Sequence, residues 1–415
     1  MVRCLRSVAR ERTLLAGQPH VRVAFLFGSG ASIGAGAPST ADLTRAVLSG
    51  HGYARHSDGT YYKGRPLHGD ESDSHVPHLT GFLRWLASRL SRYYERTAGR
   101  APTYEDLYYV IEQIHAEESG DLDNPLVVEG PRDIRQELVK CADRISPRSS
   151  SGVHVNVATS EIVSYITWVV ATELGRQHGG ADYLGFVEEA RSSIPSSHLS
   201  VFTLNHDHLL EDYLASRQVP IINGFGSPVN SVRYWDSRYL SVSHPGCAVL
   251  KLHGSIRWFR FRPDGGDWWD ERIGLPLTPD IQHTLAPDGR RHHAIDFRPL
   301  LLIGTFNKIP DYTGGVFVDL FAELRRRLDQ ADTLVVCGYG FGDKGINSQI
   351  IEWIYRARGR RIALVHPEPD KLRLAARGAV RNKWDVWLQD GVLRLCESTA
   401  ERITWDKLVG AIGAG

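Results

Sequence analysis

The apolar run Val21 to Phe27 breaks into the small-residue stretch Gly28-Ser-Gly-Ala-Ser-Ile-Gly-Ala-Gly-Ala-Pro-Ser-Thr40. A helical pattern follows at Ala41–Leu48. A β-branched and aromatic segment feeding a helix through a glycine turn is the opening unit of a parallel sheet, because parallel strands need a crossover rather than a hairpin. The same junction recurs. His198–Leu204 runs into Asn205-His-Asp207 and a helix start at Leu209–Leu214, and Ala248–Leu252 runs into His253-Gly-Ser255. Thr333–Cys337 runs into Gly338-Tyr-Gly-Phe-Gly342 and a helix at Ile346–Tyr355, and Arg361–Val365 ends at His366-Pro-Glu-Pro369. Short, nearly continuous apolar strands alternating with helices predict an α/β fold, a Rossmann-like parallel sheet covered by helices on both faces.

Between the first two strands the pattern changes to helical periodicity. Leu79–Tyr94, Tyr104–Ile114 (with Thr103 as N-cap) and Glu161–Leu174 read as helices, the last apolar on most sides. The chain therefore reads as a sheet domain formed by residues 1–75 and 198–415, interrupted by a mainly helical insertion at 76–197. Residues 262–298, rich in Gly, Asp, His and Trp, show neither period and read as an irregular functional loop or interface segment. Trp268 and Trp269 within it suit a lid or an oligomer contact.

Composition excludes several classes. With 49 basic against 48 acidic side chains and a net charge of +1, a generally basic nucleic-acid binder is not expected. No run of 18 apolar residues is present. The segment Met1–Gly17 carries Arg3, Arg6, Arg10 and Arg12, but Glu11 interrupts them, so it reads as a solvated helix rather than a transit peptide. A soluble cytoplasmic protein is expected. The five cysteines, at 4, 141, 247, 337 and 396, never form C-x-x-C, and the histidines show no zinc-ligand spacing, so no metal site is expected.

The glycine loop admits three readings beyond a plain tight turn. Its N–H groups could close on a phosphate, with contacts from Gly28, Gly30, Ala31 and Ser32. It is not a P-loop, since the lysine motif is missing, and it departs by one residue from the dinucleotide fingerprint G-x-G-x-x-G, whose third glycine falls at Gly34. It also contains a literal G-x-S-x-G, Gly30 to Gly34, with Asp343 and His366 following in hydrolase order. A nucleophile elbow on the first strand would lack the preceding oxyanion loop, which leaves the serine-hydrolase reading as a weaker alternative.

The fuller stretch Gly28-Ser-Gly-Ala-Ser-Ile-Gly-Ala-Gly-Ala-Pro38 resembles the G-A-G-x-S-x-x-x-G-[IA]-P signature of the sirtuin family. Thr203-Leu-Asn-His-Asp207 resembles its T-Q-N-x-D, His253-Gly-Ser255 its H-G-S, and Gly338–Asp343 its late glycine turn. The resemblance covers about residues 20–48 and 198–370. Two features depart from sirtuin deacylases: the paired C-x-x-C of their zinc ribbon is absent, and Ser39-Thr-Ala41 stands where they carry Asp-Phe-Arg. Leu204 also replaces the Gln of T-Q-N. The likeness is thus to the zinc-free sirtuin-like proteins of bacterial antiphage defence. It implies NAD⁺ as substrate, cleaved to nicotinamide and ADP-ribose. It also implies activation by assembly, as a homo-oligomer and beside a partner, in one such system a HerA-type ATPase. NAD-dependent deacylation, ADP-ribosyl transfer and a non-catalytic NAD- or ADP-ribose-binding scaffold stay as alternatives.

Loss of nicotinamide from NAD⁺ expels a neutral pyridine from a cationic substrate, so no general acid is required, unlike ordinary glycosides. His253 suits a base near neutrality, and Asn205 offers a carbonyl and an amide to hold a water or a ribose hydroxyl. Asp207 is expected beside the cofactor and as a cap of the following helix. Gly338, Tyr339 and Phe341 are assigned to the adenosine side by the resemblance and by open-sheet topology. Asp343 could bind a ribose or cap the helix at Ile346.

Overall fold

The computed structural model describes residues 22–67, 75–121, 127, 132–146, 154–176, 179–193, 199–241, 246–304, 308 and 312–413. The expected N-terminal helix and His198 lie outside the described residues. Strand β1 (Val23–Phe27) passes through two 3-10 turns, Ser29–Ala31 and Ile33–Ala35, into α1 (Thr40–Ser49). The hairpin β2 (Tyr53–Arg55) and β3 (Tyr61–Lys63) precedes four helices: α2 (His75–Ala98), α3 (Tyr104–Glu118), α4 (Arg132–Ile145) and α5 (His154–Leu174). Then come α6 (Gly185–Ser193), β4 (Ser200–Thr203), α7 (Leu209–Ser216) and β5 (Ile221–Ile222). The chain continues as β6 (Phe225–Val229), β7 (Val232–Trp235), β8 (Cys247–Lys251), β9 (Gly254–Pro263), β10 (Arg272–Pro276), β11 (Thr284–Leu285) and β12 (Arg291–Leu301). It returns through α8 (Gly315–Gln330), β13 (Thr333–Cys337), α9 (Lys344–Arg356), β14 (Arg361–Val365) and β15 (Leu393–Cys396) to a last helix, Trp405–Gly413.

Seven of these strands form one sheet in the order β15-β14-β13-β1-β4-β8-β5, and every pairing in it is parallel. The central strands are buried along their whole length because both faces are covered. Alternate residues split between the two sides, as a period of two requires. Ala24, Leu26, Phe202, Leu334 and Val336 pack against Leu320 and Leu324 of α8 and Ile350 and Trp353 of α9. Val23, Phe25, Phe27, Val201 and Val335 pack against Phe186 of α6, Leu214 of α7 and Trp405 of the last helix. This is the Rossmann-like parallel sheet flanked by helices that the strand–turn–helix repeats predict.

A second apolar cluster joins α2, α3, α4 and α5, and it also takes in Leu43 and Val47 of α1, Tyr53 and Tyr61 of the hairpin, and Leu301 and Ile303. Residues 262–298 are not irregular throughout. They supply much of a six-stranded sheet, β11-β12-β9-β10-β7-β6, whose described pairings are antiparallel. Trp268 and Trp269 sit on a short turn between β9 and β10, 70% and 66% exposed.

Candidate functional site

The carboxyl ends of β1, β4, β8 and β13 lie side by side, and register places the predicted residues on one edge. Phe27 pairs with Thr203 and Cys337, and Thr203 pairs with Lys251. Gly28, Asn205, His253 and Gly338 therefore all fall one or two residues beyond the last paired positions of adjacent strands.

The glycines of the first loop serve a close loop-on-loop approach. Gly28 N–H donates to the Cys337 carbonyl and Gly30 N–H to the Gly338 carbonyl, each at 3.0 Å. A Cβ on Gly28 would lie 2.6 Å from the Gly338 carbonyl oxygen, and one on Gly30 would lie 2.8 Å from the Gly338 Cα. Gly338 has φ +69°, and a side chain there would strike the Ala31 amide. Ala31 and Ser32 continue the turn, both buried. Helix α1 is closed at its start by a reciprocal cap: Ser39 Oγ accepts the Asp42 N–H, and the Asp42 carboxylate accepts the Ser39 N–H. Donors for an anion are therefore those of the loop itself. The N–H groups of Ser29, Ile33 and Gly34 have no partner among the described residues.

Asn205 ties β4 to this loop. Its Nδ2 donates to the Gly28 carbonyl at 3.0 Å and to Ser32 Oγ at 2.9 Å. A carbonyl can only accept, so this contact fixes the orientation of the amide. Asn205 Oδ1 is buried and has no hydrogen-bond partner among the described residues. Asn205, Ser32, Thr203 and Asp207 line a small cavity beside the loop. Asp207 Oδ1 accepts the Leu209 N–H at 3.1 Å, capping α7, and its carbonyl accepts from Lys251 Nζ. Lys251 is buried and lies 3.0 Å from Glu211.

His253 is 5% exposed. Its Nε2 lies 3.2 Å from Asp343 Oδ2 and 3.2 Å from the Tyr312 hydroxyl, which itself donates to Asp343 Oδ2 at 2.7 Å. The other carboxylate oxygen, Oδ1, accepts the Ile346 N–H at 2.9 Å and caps α9. Of the two roles predicted for Asp343, the cap is thus formed. Burial first, then the ammonium of Lys308, pushes the His253 imidazolium down to about 4, so the ring is neutral at pH 7. Burial alone would raise the Asp343 carboxyl. The hydrogen bond from His253, the Lys308 ammonium and the Ile346 N–H together hold it well below the usual carboxylate range. His206, its ring 6.3 Å from His253, is driven strongly down by burial first and by the nearby Lys308 and Lys251 ammonium groups.

Tyr339 and Phe341 turn their rings into the core. The Tyr339 hydroxyl donates to Asn347 Oδ1 at 2.9 Å and accepts the Asp343 N–H at 3.1 Å. Phe341, at φ +50°, packs edge-on against Trp384, and Asn347 Nδ2 holds its carbonyl at 2.9 Å. These contacts set the course of the 338–343 loop, whose backbone is what the glycine loop touches.

The hydrolase triad is not assembled. Ser32 Oγ is bonded to Asn205, Asp343 to His253 and Tyr312, and His366 Nδ1 accepts the Glu368 N–H. Sequence reasoning missed Tyr312, Lys308 and Asn347. Asn347 stands four residues after Asp343 on a predicted helix and was within reach. Tyr312 and Lys308 belong to no motif. Among the described residues no group of three or more His, Cys, Asp or Glu is arranged to hold a metal, and no helix is long and apolar enough to cross a membrane.

No family model matches the sequence, and no curated protein matches it. Among solved structures, a Sir2 homologue variant in complex with ADP-ribose aligns at 13% identity over 97% of this chain and 96% of that chain, with a TM-score of 0.36. A Sir2 homologue in complex with NAD aligns at 14% identity over 97% of this chain and 94% of that chain, with a TM-score of 0.34. The class that the fold defines is a Rossmann-like α/β protein, and its candidate site lies at the carboxyl edge of the parallel sheet, where such folds place their ligands.

Proposed function

We propose that this chain is an NAD⁺ glycohydrolase that cleaves NAD⁺ to nicotinamide and ADP-ribose. The observation that carries the reading is an unbroken chain of contacts along one sheet edge. Ser32 and Gly28 bind Asn205, Gly28 and Gly30 meet the Gly338 backbone, and Asp343, at the end of that loop, meets His253. The four motifs that resemble the sirtuin family thus form one constellation.

Asn205 Oδ1, a buried acceptor without a partner among the described residues, suits a ligand hydroxyl, and a nicotinamide ribose supplies one. The N–H groups of Ser29, Ile33 and Gly34, without a partner among the described residues, lie beside Gly28, Gly30, Ala31 and Ser32 and suit a pyrophosphate. Asp207 and the Gly338–Asp343 loop would flank the ribose and adenosine portions. In the reaction, the bond from the anomeric carbon to the pyridine nitrogen breaks with its electron pair going to the nitrogen. Water attacks the oxocarbenium-like carbon, and neutral His253 takes the proton. Burial of this edge favours the step, since fixed dipoles act more strongly where water is excluded.

The narrower biological role, an NAD-depleting effector in bacterial antiphage defence that acts as a homo-oligomer or beside a HerA-type ATPase, is supported by the motif resemblance alone. The test is chromatographic. Purified protein, alone and with the product of a neighbouring gene, is incubated with NAD⁺. Equimolar nicotinamide and ADP-ribose are expected. Calorimetric binding of NAD⁺ without products would make the chain a binding subunit, and transfer of ADP-ribose to a macromolecule would make it a transferase.

A further inference from the structure

We propose that Asp343 and Tyr312 are positioning residues that fix His253 in its Nε2–H tautomer, leaving Nδ1 as the atom that takes the proton. As far as it concerns catalysis, the inference rests on the glycohydrolase reading. As far as it concerns the imidazole, it stands on geometry.

A neutral imidazole carries one N–H, and its position follows from what each nitrogen faces. Nε2 faces the ionised Asp343 Oδ2 at 3.2 Å, a group that can only accept. The Tyr312 hydroxyl, also 3.2 Å from Nε2, commits its single proton to the same carboxylate oxygen at 2.7 Å. Among the described residues no other group at that edge donates to Nε2, so Nε2 bears the hydrogen. Nδ1 has no hydrogen-bond partner among the described residues.

Both positioning groups are themselves held. Asp343 Oδ1 is engaged by the Ile346 N–H, and the backbone N–H of Asp343 is held by the Tyr339 hydroxyl. The Tyr312 ring stacks on Phe321 of α8, with ring centres 3.8 Å apart. When Nδ1 receives a proton from the attacking water, the imidazolium that forms keeps its Nε2–H on a carboxylate that is already ionised. This is the orienting and charge-stabilising part that a buried carboxylate plays behind a catalytic imidazole. Asp343 is also the last residue of the loop that packs on Gly28 and Gly30, so one segment sets both the base and the expected phosphate cradle.

The test combines ¹⁵N NMR of histidine-labelled protein with kinetics. His253 resonances are assigned by difference with His253→Gln. The wild type is expected to show a protonated Nε2 and an unprotonated Nδ1 at pH 7. Asp343→Asn can still cap α9 through its carbonyl, but its amide donates to Nε2, so the variant is expected to reverse the tautomer. Its kcat for nicotinamide release should fall at least about 100-fold, with KM within about threefold. Tyr312→Phe is expected to keep the wild-type tautomer and lose roughly tenfold in kcat.

A wild-type spectrum with the proton on Nδ1 overturns the proposal, as does a folded Asp343→Asn variant with unchanged tautomer and kcat. If Asp343→Asn does not fold, the wild-type spectrum and Tyr312→Phe still decide. The expected spectrum in a protein that releases no nicotinamide would overturn the glycohydrolase reading while leaving the tautomer assignment intact.

Discussion

Asp343 and His253 face each other across 3.2 Å at the carboxyl edge of the sheet, and the carboxylate that meets the imidazole through Oδ2 caps helix α9 through Oδ1. One side chain therefore couples the start of a core helix to the proposed catalytic base. Tyr312 beside it, and Lys308 and His206 near His253, are all buried.

This coupling has a pH signature. The His253 pKa is depressed to about 4 by burial and by Lys308, against an ordinary value near 6.5. Between those values the unfolded chain binds more protons than the folded one. The stabilisation is present above pH 6.5 and is lost as pH falls toward 4. Nicotinamide release should accordingly stay flat from about pH 8 down to near pH 5 rather than decline through 6.5. Lys308→Met removes a charge that opposes protonation and should shift the acid limb upward. A pH–rate profile checks both.

Asn205 should be sensitive in two distinguishable ways. Asn205→Ala leaves the Gly28 carbonyl and Ser32 Oγ without their shared donor, at a cost of about 1–3 kcal/mol of stability. The same change removes the Oδ1 acceptor, and nicotinamide release should fall about 100-fold or more. Asn205→Asp presents a carboxylate to a carbonyl that can only accept, and should destabilise further. Urea unfolding and initial rates separate the two effects.

The loop-on-loop packing predicts a contrast between two glycines of positive φ. Gly338→Ala adds left-handed strain and a collision with the Ala31 amide, and should cost roughly 2–5 kcal/mol. Gly36→Ala, at φ +81° with nothing within 4 Å of the new Cβ, should cost only about 1–2 kcal/mol. Equal losses in denaturant titrations would contradict the packing account.

The sheet was legible because its strands are buried on both faces and read as unbroken apolar runs, each ending in Gly, Asn or His. The two-residue β5 is too short to carry a pattern, and β15, Leu-Arg-Leu-Cys, has a charge in its middle. The second sheet was hidden for a related reason. In β12, Asp296 and Phe297 take positive φ, and the register with β9 shifts between Ala294 and Pro299, which breaks the alternation a strand would show. His253, Asn205 and the glycines were visible because strand ends advertise them. Tyr312 was not, since it reaches His253 from 59 residues away through a segment with no periodicity.

A crystal structure of the protein with ADP-ribose decides whether this sheet edge is the NAD⁺ site. The pyrophosphate is expected against the Gly28–Gly34 loop, with a hydroxyl of the distal ribose within hydrogen-bond distance of Asn205 Oδ1 and the anomeric carbon on the His253 side. Ligand bound away from this edge, or bound here with Asn205 Oδ1 still unpartnered, would contradict it.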